Sequence, residues 1–178
     1  MPKGTAVVAA FSLLAASAAA LVAQAAETPL ARLELGAKRV GWDGIEVGMS
    51  LVQVERRSGQ AISIEPTGKP GCRAATVDLE RNTLHLTLDL NGVKPGAKVE
   101  RIFVHFEGYQ VAARREDLVA ELKRLAPAAV YLPPADDPGM AEADDPRPAY
   151  SLPGAADSVL RLLPRFGLVL ASRGCLGS

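Results

Sequence analysis

The most regular pattern in the chain is a stretch in which every second residue is leucine, Leu84-His85-Leu86-Thr87-Leu88-Asp89-Leu90. A second alternating stretch covers residues 101–107, in which Ile102, Val104 and Phe106 share one face. Strict alternation of this kind is typical of strands that bury one face and leave the other solvated. The connecting residues 91–99 contain two glycines and a proline, which favour turns. The sequence therefore predicts an antiparallel hairpin.

The register of this hairpin follows from charge and polarity. We expect His85 to face His105 and Asp89 to face Arg101, because opposite charges then pair across the ladder. A shift by one residue would turn the leucines into water, since neighbouring side chains point to opposite faces of a strand. A shift by two residues stays open at this stage.

A short helix is predicted over residues 51–58, ahead of the hairpin. Ser50 stands at the N-cap position, and Gln53 follows three residues later, which is the spacing of a capping box. Gly59 fits the position just after the last helical residue, where glycine is favoured.

A second helix is predicted over residues 114–126. Leu118, Leu122 and Leu125 recur at helical spacing, and Pro127 ends the pattern. Shorter stretches predict further strands at residues 45–47, 61–64, 74–79, 129–132, 150–152, 158–163 and 166–171. These elements predict an α+β fold, with an antiparallel sheet and two short helices packed on one of its faces.

The sequence contains a short internal similarity. Residues 49–66 and 117–134 share the order of helix, short strand and loop, and several apolar positions and the final proline coincide. Two tandem helix-plus-sheet units, as half-units 40–110 and 111–178, are therefore one possible architecture, and chance agreement is the other. Residues 133–148 are acidic, rich in proline and contain Ala-Asp-Asp-Pro twice, which predicts a surface loop.

The first 25 residues have the pattern of a secretory signal peptide. Lys3 is followed by an apolar run over 6–22, and Ala23-Gln24-Ala25 has the small-x-small pattern of a cleavage site. A transmembrane anchor is the alternative, which we disfavour because the run is mostly alanine. Cleavage after Ala25 would leave one exported domain, 26–178, without a membrane span. The leader suggests a bacterial export signal and hence a periplasmic or extracellular protein.

Export changes the interpretation of the two cysteines. In an oxidising compartment we expect Cys72 and Cys175 to form a structural disulfide. Closing a loop of about 100 residues stabilises the folded state by roughly 4–5 kcal/mol in the loop-entropy model. A redox-active pair is the alternative, but Cys-x-x-Cys spacing is missing.

One segment resembles a known family signature. It reads Ile45-Glu46-Val47-Gly48-Met49-Ser50-Leu51-Val52-Gln53-Val54, then Gly59. It is similar to the Gly-Met-Thr/Ser-x-x-x-Val…Gly pattern of SmpA/OmlA-type outer-membrane lipoproteins and of the β-lactamase inhibitor protein superfamily. The resemblance implies an exported protein that is built of small helix-plus-sheet units and binds other proteins. The sequence departs from the pattern in that the second helix lacks this opening and the cysteines fall one in each half. The resemblance transfers no binding residue, because the shared motif is structural.

The balance of charges and the missing motifs argue against several classes of function. Lysine plus arginine and aspartate plus glutamate number 20 each, which argues against a nucleic-acid binder that works through bulk charge. The phosphate loop, the dinucleotide fingerprint and the hydrolase Gly-x-Ser-x-Gly motif are all missing from the sequence, and we expect no cofactor.

We therefore expect a non-enzymatic protein that binds an envelope or secreted protein, as an accessory factor or a hydrolase inhibitor. Its candidate binding residues lie on the polar side of the hairpin: His85, Arg101, Phe103 and His105. Phe103 is the best single candidate, because an aromatic side chain on a polar face can anchor an interface. The alternative is a metal-handling or hydrolytic envelope enzyme that uses His85 and His105, although we expect no metal site.

Overall fold

A computed structural model describes residues 29–36, 39–81, 84–106, 115–132, 149–152, 158–163 and 167–175. The predicted signal peptide, 1–25, and the predicted acidic loop, 133–148, lie outside the described residues.

The described residues form two helices and two antiparallel sheets. The helices are α1 (Leu51–Ser58) and α2 (Arg115–Leu125). The small sheet consists of β1 (Leu33–Leu35), β2 (Val40–Trp42) and β3 (Ile45–Glu46). The strands of the large sheet are β4 (Glu65–Pro66), β5 (Ala75–Arg81), β6 (Leu84–Leu90), β7 (Val99–His105), β8 (Val130–Leu132), β9 (Ala149–Ser151), β10 (Ser158–Leu163) and β11 (Gly167–Ser172).

The large sheet joins two runs of consecutive strands. Its order is β4-β5-β6-β7-β11-β10-β9-β8, so β4 to β7 and β8 to β11 are each a simple meander. The meanders meet where β7 pairs with β11, from His105 opposite Gly167 to Arg101 opposite Ala171. We call this junction the seam. Helix α1 precedes the first meander in the chain and α2 precedes the second.

The predicted hairpin register is confirmed. His85 faces His105 and Asp89 faces Arg101 across β6 and β7, with an irregularity only after Asp89. The leucines of β6 all point to one side, because side-chain direction alternates along a strand, and they are completely or almost completely buried.

The core lies on that side of the large sheet, which we call the inner face. Helix α1 contributes Leu51 and Val54 to it, and α2 contributes Leu118 and Leu122. Their burial follows from their spacing, since residues three or four apart share one side of a helix. The α+β class is thus confirmed in broad terms, although the sheets dominate.

The cap of α1 is as predicted. The Ser50 side chain accepts a hydrogen bond from the backbone N–H of Gln53, whose own side chain accepts one from the backbone N–H of Ser50. Gly59 ends the helix with a positive φ of 69°, a conformation that favours glycine.

The small sheet was predicted only in part: β3 lies on the expected strand at 45–47, whereas β1 and β2 were not predicted. Its central strand buries Val40 and the single tryptophan, Trp42, completely in the same core. Asp43 and Gly44 make the tight turn into β3 with φ values of 49° and 82°. Positive φ at both positions is typical of the type I′ hairpin turn, for which Asp-Gly is a favoured pair.

The predicted strand at 61–64 is wrong. Only Glu65 and Pro66 pair with β5. At the other end of β5, the side-chain amide of Gln60 donates to the Glu80 carbonyl over 3.0 Å. The Gln60 side chain thus occupies a carbonyl of β5 that a strand at 61–64 would need as an acceptor for its own backbone N–H groups.

Cys72 and Cys175 form a disulfide, as predicted, with their Cα atoms 5.5 Å apart. It joins the short 3-10 turn Gly71–Arg73, ahead of β5, to the turn Arg173–Cys175, after β11. The bond therefore links the first meander to the second. Among the helices described, none is both long enough and apolar enough to cross a bilayer.

Candidate binding site on the outer face of the sheet

The four predicted binding residues lie together on the side of the large sheet opposite the core, which we call the outer face. Arg101, Phe103 and His105 alternate along β7 with fully buried neighbours, and each remains partly exposed. His85 stands beside His105 on β6. The period of two along a strand places them on one surface.

The two histidines are close neighbours with polar partners of their own. Their ring centroids are 4.9 Å apart, and the ring of Phe103 packs edge-on against His105 at 4.0 Å. The Nδ1 atom of His85 lies 2.9 Å from a Glu80 carboxylate oxygen, and its Nε2 lies 3.3 Å from Asp78. Both ring nitrogens of His85 therefore already face carboxylates.

On the other ring, Nε2 of His105 lies 2.9 Å from the Thr87 hydroxyl. Within the described ranges, no group of three or more His, Cys, Asp or Glu side chains could hold a metal ion. The pair supplies two imidazoles, whereas catalytic zinc sites usually have three protein ligands.

A cavity beside Phe103 was not predicted. Its volume is about 240 Å³. The residues around it are Arg73, Thr87, Asp89, Arg101, Phe103, Arg161, Leu163 and Val169. Three guanidinium groups and one carboxylate thus surround a partly apolar space, which we call the arginine hollow. It includes Arg101 and Phe103 but neither histidine.

Asp89 organises one side of the hollow. It is only 4% exposed, and both Nε and Nη2 of Arg101 contact its Oδ2 atom. The Nε atom of Arg73 lies 3.6 Å from the other carboxylate oxygen. A buried carboxylate requires compensating charge, so Asp89 holds both guanidinium groups beside the cavity.

Arg161 forms the opposite side. It lies in β10 and is 9% exposed. Across the sheet it pairs with Val169, which in turn pairs with Phe103. The row Phe103, Val169 and Arg161 therefore crosses the seam, so both meanders contribute to the hollow.

Two residues of the hollow, Arg161 and Arg73, have features in the sequence that could have marked them as candidates. Arg161 interrupts the otherwise apolar run Val159–Leu163, and a charge inside a buried strand usually has a specific partner or role. Arg73 directly follows Cys72, so the disulfide fixes the turn that carries it.

The outer face is less polar and less solvated than the hairpin pattern indicates. Asp89 was expected among its solvated residues but is buried. Farther along the face, Ala149, Val159 and Ala171 form a second, small buried cluster. The polar character predicted for the hairpin therefore does not extend over the whole outer face, because the hairpin supplies two strands of an eight-stranded sheet.

A second cavity of about 300 Å³ lies near the start of α1. Its charged lining includes Arg39 and Glu46, which form an ion pair with each other at 3.1 Å. It contains none of the predicted binding residues, so the arginine hollow is the stronger candidate.

Comparison of the chain with protein-family models, with curated proteins and with solved structures finds no match. The family resemblance of residues 45–54 stays a prediction. The candidate site depends on the geometry of the outer face alone.

Proposed function

We propose that the chain is an exported, non-enzymatic protein-binding module that contacts its partner through the outer face of the large sheet. The observation that carries this proposal is the arginine hollow beside the partly exposed Phe103. Arginine and aromatic side chains dominate the energetics of protein interfaces, most of all where they surround a pocket.

The position of Phe103 suits an anchor. It lies on β7, which pairs with β6 on one side and β11 on the other. A side chain on a central strand is already ordered before binding, so association costs less conformational entropy. Its contact with His105 further restricts the ring.

We also infer that the two meanders are tandem helix-plus-sheet units. The support is their common order, a helix followed by four consecutive strands. On this interpretation the proposed contact surface extends over both units, because the hollow crosses the seam.

The disulfide fits a periplasmic or extracellular location, where thiols oxidise. The proposed partner is accordingly another envelope or secreted protein. It would be either a component that this module assists or a hydrolase that it inhibits.

The test compares two truncations of apolar side chains. The full chain, produced with its own leader and purified with the disulfide intact, is used to isolate a stoichiometric partner from an envelope extract. We expect Phe103→Ala to weaken binding of that partner about tenfold or more, as for an interface hot spot. Val52→Ala is the matched control, because Val52 is an exposed apolar residue on α1, away from the outer face. A partner bound equally well by Phe103→Ala would contradict the proposal, as would the recovery of no stoichiometric partner.

A metal-handling or hydrolytic enzyme is the second candidate. It is favoured by one observation, the adjacency of His85 and His105 with Asp78 and Glu80 next to His85. Replacing both histidines with alanine would then abolish metal content or hydrolytic activity in the purified protein. Unchanged metal content and phenotype would remove this candidate.

A further inference from the structure

We propose that the arginine hollow is a binding site for a carboxylate that carries a compact apolar group. A free organic acid as the ligand goes beyond a protein-binding role, whereas the C-terminal end of a polypeptide rests on the proposed function and specifies what it recognises.

The charged groups give the hollow an anionic preference. Among the described residues that line it, three guanidinium groups stand against a single carboxylate, Asp89. A guanidinium carries five N–H donors in a planar fork that matches a carboxylate. Arg73 contacts Asp89 through its Nε atom, at 3.6 Å, and this contact does not use the terminal N–H groups of its fork.

The burial of Arg161 strengthens this preference. At 9% exposure its guanidinium lies in an environment of lower dielectric than water. Attraction to an anion is stronger there than at an open surface. The arginine is also held by its strand, since β10 pairs with β9 on one side and β11 on the other.

The remaining walls favour an apolar group next to the anion. Phe103, Leu163 and Val169 present carbon surface to the same cavity. An inorganic anion would leave that surface in water, whereas a hydrocarbon or aromatic body attached to the carboxylate would cover it.

The size limits the occupant. A volume of about 240 Å³ is below the roughly 300–1,000 Å³ of pockets for drug-sized ligands. A small aromatic or branched acid fits this range, as does the C-terminal residue of a chain.

The experiment titrates the purified, disulfide-bonded full chain with benzoate at constant ionic strength and follows binding by calorimetry. Benzyl alcohol tests the apolar group alone, and inorganic phosphate tests the anion alone. We expect saturable binding of benzoate that is at least tenfold tighter than that of either control.

Two arginine variants locate the site. Arg73→Gln is expected to weaken benzoate binding about tenfold, the effect of one charge-assisted hydrogen bond. Arg161→Gln should weaken it by as much or more, and circular dichroism checks that this variant folds. Arg124→Gln is the control, because Arg124 is an exposed arginine on α2. Binding by the control variant should equal that of the unmodified chain.

A peptide that ends in phenylalanine identifies the source of the ligand. If the free-acid peptide binds more tightly than benzoate and its C-terminal amide does not bind, the site recognises a polypeptide terminus. If benzoate binds more tightly, the site recognises a free acid. Both results support the carboxylate site.

The proposal is overturned if benzoate does not bind saturably, if phosphate or benzyl alcohol equals it, or if Arg73→Gln leaves the affinity unchanged. These outcomes concern small probes only. The partner experiment with Phe103→Ala therefore tests the protein-binding role independently.

Discussion

The two faces of the large sheet are made by the same strands but differ in every respect that matters for function. On the inner face, the leucines of β6 and the alternate apolar residues of β7 pack against α1, α2 and the small sheet. On the outer face, the intervening residues of the same two strands include histidines, an ion pair and an aromatic ring.

The comparison shows how one alternating pattern serves two purposes. An inner position needs only an apolar side chain of suitable volume, so its contribution is to stability. An outer position such as Arg101 needs a particular charge and side-chain length, so it contributes to the charge and shape of the outer face rather than to core packing. The disulfide supports the outer face, because it joins the turn that carries Arg73 to the turn after β11.

The largest expected effect concerns that disulfide. Replacing both cysteines, Cys72→Ser with Cys175→Ser, should lower the free energy of unfolding by about 4–5 kcal/mol, because the bond closes a loop of about 100 residues. Urea denaturation measures this loss. The unmodified chain in the presence of a reductant is the control and should behave alike. A loss below about 1 kcal/mol would mean that the outer-face turn is held by its other contacts.

The next effect compares adjacent residues of β6 on opposite faces. Leu88→Ala should cost about 3 kcal/mol, since it leaves a cavity in a fully buried site. Thr87→Ala, one residue away on the outer face, should cost about 1 kcal/mol for its hydrogen bonds. Equal losses in urea denaturation would remove the distinction between the faces.

A smaller effect is expected at the one buried carboxylate beside the hollow. Asp89→Asn should cost about 2 kcal/mol. This is less than for a fully buried pair, because Arg73 and Arg101 remain partly exposed. Asp78→Asn is the control at an exposed outer-face carboxylate and should cost little. If Asp89→Asn were neutral in chemical denaturation, Asp89 would not organise the hollow.

The smallest effect concerns the cap of α1, on the inner-face side. Ser50→Ala removes the side-chain acceptor for the Gln53 N–H and should cost about 1 kcal/mol. Ser50→Thr keeps a hydroxyl acceptor and should remain within a few tenths of a kcal/mol of the unmodified chain. Thermal unfolding resolves the two, and equal melting temperatures would show that the cap contributes nothing.

Most of the fold could be predicted because its signals are local. Alternating leucines with the Asp89–Arg101 pair are sufficient for the hairpin register, and the Ser50–Gln53 spacing is sufficient for α1. Strands β1 and β2 of the small sheet escaped prediction because three residues contain too little pattern, although Asp43-Gly44 is a turn signal.

The site was only half predictable. Arg101 and Phe103 lie in the hairpin itself, so their common face follows from alternation. Arg73 and Arg161 reach the hollow through tertiary structure: the disulfide brings in one, and the pairing of β7 with β11 brings in the other. Nothing in the local sequence states which strands become neighbours across the seam.

The disulfide has a consequence for a nicked molecule. Cys72 precedes the last three strands of the first meander, and Cys175 follows the last strand of the second, so the covalent link spans the seam. A protease that cuts the chain once at any peptide bond between β7 and α2 would yield two polypeptides that still migrate together. They would separate only under reducing conditions. The link thus keeps the two meanders that form the outer face in one covalent unit after a backbone break in that segment.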